Sequence, residues 1–83
     1  MGIETQVFTG IFNLPGEGFL AQIRINGIST LYDVRGLQYL ILDQRKLGQK
    51  TTVLELALHR VRNLQDHFAK ENPQILSTEK TLP

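Results

Sequence analysis

Cysteine and tryptophan are both absent from this chain, and the first absence closes several routes at once. It removes disulfides, thiolate metal sites and cysteine nucleophiles, and it fits a reducing compartment such as the cytoplasm. Charge of one sign is also lacking: nine Lys and Arg stand against eight Asp and Glu, for a net charge of +1. So even a balance leaves no broad electrostatic footprint for nucleic acid or anionic lipid. Long apolar runs are missing too. The stretch "LELAL" at 54–58 is interrupted by Glu55 and falls far short of the ~18 residues of a membrane span. The start "MGIETQ" has neither the basic lead nor the apolar stretch of a signal peptide. Gln6 stands where a myristoylation motif places Ser or Thr. A cytoplasmic protein with no membrane partner is expected.

At 83 residues and 9.4 kDa the chain makes one domain. A domain of this size buries only about 60–65% of the surface its unfolded chain exposes. With disulfides excluded, oligomerisation is the open route to further burial. The α+β domain is expected to span residues 1–73, with "QILSTEKTLP" at 74–83 as a poorly ordered tail.

What is present divides into two halves. Residues up to 43 repeat with period two, and residues 52–71 with a period of about 3.6. Asn26-Gly27 is the strongest local signal, because both residues accept the positive φ that a two-residue type I′ hairpin turn needs. Counting outward pairs Ile25 with Ile28, Ile23 with Thr30, Ala21 with Tyr32 and Phe19 with Val34, all on one apolar face. A second turn at Pro15-Gly16 pairs Phe12 with Phe19, Gly10 with Ala21 and Phe8 with Ile23, adding to that face and leaving Val7, Thr9 and Ile11 on the other. A turn at Arg35-Gly36 would make "LQYLIL" a fourth strand, with Leu37, Tyr39 and Ile41 inward and Leu40 and Leu42 outward. The competing reading of 37–46 is a short, poorly capped helix.

Thr52 with Glu55 three residues on forms a capping box. Asn72-Pro73 stops the helix that follows, because a residue before proline avoids helical ψ. Its apolar stripe is Leu54, Ala57, Leu58, Val61, Leu64 and Phe68. The expected fold is a four-stranded antiparallel meander, or a three-stranded one if 37–43 is helical, with one C-terminal amphipathic helix on its aromatic face.

Catalytic chemistry finds little support. Ser29 and Ser77 lie in no nucleophile elbow, and both histidines, His59 and His67, fall on the helix, so no triad is in view. Glu55 and His59 sit four apart, a spacing that solvated helix faces carry routinely, and no second ligand pair is spaced to match. "LPGEGF" lacks the Lys and Ser/Thr of a phosphate loop. No cofactor, no metal and no enzymatic activity are expected.

Two binding readings remain. "GFLAQIRINGIST" resembles strands two and three of the arm-type DNA-binding domains of phage integrases and related plant transcription factors, in which a sheet reads the major groove with a helix behind. That resemblance implies Gln22 and Arg24 facing DNA with Asn26 at the tip. A nucleic-acid module would use Arg24 with the basic residues Arg45, Lys46, Lys50 and Arg60. The leading expectation is instead a protein-binding module, a subunit, adaptor or regulator of a larger protein. It would be homodimeric through an outer sheet face centred on Leu20, Leu31, Leu40 and Leu42, with Arg24 giving orientation.

Overall fold

A computed structural model describes residues 5–71, and the expected tail at 74–83 lies outside them. The order is β1(Gln6–Leu14), β2(Gly18–Ile25), β3(Ile28–Tyr32), α1(Val34–Lys46) and α2(Thr52–Glu71). The sheet is an antiparallel meander, β1-β2-β3. Both helices pack on one of its faces, since the buried cluster joins Ala21 and Ile23 of β2 to Leu37 and Ile41 of α1 and to Leu54, Ala57 and Val61 of α2. The class is α+β: among the described residues the sheet has three strands, the alternative to the four favoured, and there are two helices rather than one.

The central hairpin follows its turn residues. Asn26 at φ 51° and Gly27 at φ 85° make the turn, and the register pairs Ile25 with Ile28, Ile23 with Thr30 and Ala21 with Tyr32. The Asn26 side chain also accepts from the Thr5 amide at 3.0 Å, tying the start of β1 to the hairpin tip.

β1 departs from the counted register. Phe8 does pair with Ile23, but an extra residue enters between Phe8 and Gly10, so that Ile11 faces Ala21 and Phe12 faces Leu20. This bulge inverts the parity beyond it. Ile11 turns inward against the core, and Phe12 turns outward with 45% of its surface exposed. The Thr9 hydroxyl reaches the backbone and side-chain oxygens of Gln22, at 3.1 and 2.9 Å, and holds the bulge in place.

The expected fourth strand is α1. Asp33 is its N-cap, accepting from the Gly36 amide at 2.7 Å. At the other end Gly48 (φ 75°) follows the cap residue Leu47. There the Gly48 and Gln49 amides donate to the Arg45 and Gln44 carbonyls, which is the Schellman arrangement. Arg45 and Lys46 in the last turn suit the negative end of the helix dipole. Leu37, Ile41 and Gln44 are buried at helical spacing, so the apolar run is sorted by a period of about 3.6 and not of two. Far from being poorly capped, α1 is closed at both ends.

α2 runs as its stripe implies, with Leu54, Ala57 and Val61 fully buried. Its start is capped one residue earlier than expected: the Thr51 carbonyl accepts the Glu55 amide, and the Thr51 hydroxyl donates to Glu55 Oε2 at 2.8 Å. At its far end Phe68 meets Phe19 edge-to-face, ring centres 6.0 Å apart, which fastens the helix to the turn between β1 and β2.

Candidate functional site

Because both helices lie on one side, the described residues have two outward surfaces: the sheet face that neither helix covers and the outer side of the helix pair. The residues expected to form a single contact centre divide between them. Leu20, Leu31 and Arg24 belong to the sheet face. Leu40 and Leu42 do not, because they belong to α1, where Leu40 packs against the core and Leu42 stands 52% exposed on the helix layer. The five-residue contact centre is therefore not assembled.

The sheet face is built in rows of cross-strand neighbours. Val7, Arg24 and Ser29 form one row, Gln22 and Leu31 the next, Phe12 and Leu20 the third. Val7, Phe12 and Leu31 are each about two-fifths exposed, whereas Leu20 is buried to 8% although it lies outside the main core cluster. Some of the polar members bond one another. Thr9 bonds Gln22, and Arg24 Nε donates to Ser29 Oγ at 3.3 Å.

The helix layer carries a concavity. A groove of about 470 Å³ lies between α1 and α2, lined by Gln38, Tyr39, Ile41, Leu42, Arg45, Glu55 and Leu58. Tyr39 and Leu42, one helical turn apart, are 62% and 52% exposed along it. Ile41 and Leu58 form its floor, continuous with the core. At one end Arg45 and Glu55 form an ion pair of 3.1 Å, half exposed on both sides. Such a pair contributes little to stability in solvent, but Glu55 also receives the Thr51 hydroxyl, so the groove's two charged groups are engaged with protein partners.

Sequence reasoning missed Tyr39, Leu58 and Phe12 as surface-forming groups. Tyr39 and Leu42 were legible once Leu37, Ile41 and Gln44 are taken as the buried stripe of a helix, because they then fall on the opposite side.

The basic residues divide between two layers. Arg24 is on the sheet face away from the helices, whereas Arg45 and Lys46 end α1, Lys50 is in the link between the helices, and Arg60 lies two turns into α2. Arg45 is moreover bound to Glu55. Among the described residues no group of three or more His, Asp or Glu gathers as a metal site, and no helix is long and apolar enough to cross a membrane. His59 is engaged with Asn63 at 3.2 Å rather than with Glu55. Compared with known proteins, the chain matches no family model, no curated protein and no solved structure.

Proposed function

We propose that this chain is a small non-enzymatic protein-binding module, working in the cytoplasm as a subunit, adaptor or regulator of a larger protein. Its recognition site is the groove between α1 and α2. The observation that carries this reading is the exposure of Tyr39 and Leu42 above a floor of Ile41 and Leu58. A large aromatic and a leucine held on rigid, well-capped helices provide apolar contact at low entropic cost. The groove's place between two helices suits an apolar segment laid along them, which is the way an amphipathic helix is received.

The non-enzymatic part rests on the same geometry. Arg45 and Glu55, the groove's charged groups, bind each other, leaving an apolar lining without convergent acids and bases of the kind a reaction uses. Binding through apolar contact resists salt, whereas phosphate contacts weaken steeply as salt rises.

The test compares wild type with Leu42→Asp as immobilised bait in native extract, at low and high salt, with far-UV circular dichroism confirming the fold of each. A protein retained by wild type in both buffers and lost from Leu42→Asp is the expected outcome. Retention of the same proteins by both baits would remove the groove from consideration, and salt-labile capture of nucleic acid would favour the other binding reading.

A further inference from the structure

Among the described residues the sheet face opposite the helices is a second surface, independent of the groove, and its chemistry singles out one occupant. We infer that it receives the same face of a second copy of this chain, the two sheets stacked about a two-fold axis that crosses the strands, with Arg24 of each copy over Glu17 of the other.

Three observations lead there. The first is apolar: Val7, Phe12 and Leu31 are exposed around Leu20, which is buried and is not a member of the main core cluster. The second is polar. Thr9 with Gln22 and Arg24 Nε with Ser29 are bonded within the face, which leaves the terminal guanidinium N–H groups of Arg24 to take an acceptor from whatever covers them. The flat apolar rows beside them suit sheet-on-sheet stacking.

The third is charge. Arg24 is the face's charged group, near the hairpin end of β2, and Glu17 is exposed in the turn that precedes the other end of the same strand. Among the described residues the only ion pair is Arg45–Glu55, so none of those residues sets an opposite charge against Arg24 or Glu17. Gly18 to Arg24 spans roughly 20 Å at about 3.3 Å per residue. An axis crossing β2 near Ala21 therefore reverses the strand and brings each Arg24 to the partner's turn, forming the ion pair twice by symmetry. The alternative two-fold, along the strand direction, would set the two Arg24 side chains at the same end and leave both Glu17 carboxylates unmatched. The charges choose between the two axes.

Area sets the strength. A nine-residue β1 in a sheet of three strands offers roughly 30 by 14 Å, about 400 Å² in projection. That is near half of the ~800 Å² per partner of a standard interface. The pair is therefore a weak, concentration-dependent dimer, and a chain this short gains burial from it without a permanent partner.

Sedimentation equilibrium from about 10 µM to 1 mM tests this, the range over which a dimer of such area should appear. The expected mass moves from 9.4 kDa toward twice that value. Leu31→Asp keeps the chain monomeric throughout, and Leu42→Asp, on the other surface, leaves the dimer intact. Arg24→Glu raises the dissociation constant roughly tenfold, and Arg24→Glu combined with Glu17→Arg restores it. All these positions are exposed, and circular dichroism checks that each variant stays folded. A wild-type mass of 9.4 kDa at every concentration overturns the inference. So does a dimer broken by Leu42→Asp but not by Leu31→Asp, and so does a charge exchange that fails to restore association. A mass of 9.4 kDa throughout, or a charge exchange that fails, leaves the groove reading untouched, whereas a dimer broken only by Leu42→Asp would put a second copy in the groove.

Discussion

Replacing Leu37 by Ala examines the step on which the helix layer depends. Leu37 is fully buried among Ala21, Ile23, Ile41, Leu54, Ala57 and Val61. The substitution removes three carbons, worth about 2.4 kcal/mol at roughly 0.8 per methylene. The unfilled cavity between helix and sheet raises the loss to about 3–4 kcal/mol. A chain of 83 residues has a total stability of about 4–12 kcal/mol at roughly 0.05–0.15 per residue, so this single change uses a large share of it. Neighbouring truncations should follow helical geometry. Leu40→Ala, partly buried, costs about 1–2 kcal/mol, while Leu42→Ala and Tyr39→Ala, both more than half exposed, cost about 0.5–1 kcal/mol. Urea unfolding followed at 222 nm ranks the four variants, with comparison of m-values guarding against a changed unfolded state. In a strand, Leu37, Tyr39 and Ile41 would share the inner face, and Tyr39→Ala would then be as damaging as Leu37→Ala. Equal losses at 37 and 39, with Leu40→Ala harmless, would refute the helix and the groove built on it.

Two further outcomes are expected. Asp33→Ala removes the acceptor of the Gly36 amide and lowers stability by about 1 kcal/mol, most of it recovered by Asp33→Asn, as thermal melts of the three proteins would show. Arg45→Ala breaks the half-exposed pair with Glu55 but changes stability by less than about 0.5 kcal/mol, and still less in high salt; a loss above 2 kcal/mol would mean that the pair is fixed far more firmly than its exposure implies.

The hairpin and α2 were legible because their signals are local. Asn26-Gly27 sets a turn whose strands have only one register that buries Ile23 and Ala21 together. The spacing of Leu54, Ala57 and Val61 marks a helix with little reference to the rest of the chain. α1 was harder, because Leu37, Tyr39, Leu40, Ile41 and Leu42 are apolar at both periods at once. Its signs were at the margins: Asp33 three residues before Gly36, the cations Arg45 and Lys46, and Gly48 beyond them. An adjacent Arg-Gly pair masked them by resembling a turn.

The sequence by itself determined the composition limits, the central hairpin, the long helix and the α+β class, since each follows from neighbours in the chain. Tertiary structure decided the rest. Whether β1 bulges between Phe8 and Gly10 depends on fitting Phe8 to Ile23 and Leu14 to Gly18 simultaneously, which is a condition on two strands and not on one. Gln44 is buried because Gln6, 38 positions away, donates to its side chain. And Leu20 and Leu42, alike in composition, come to rest on opposite layers because parity holds only within a strand and ends where the helix begins.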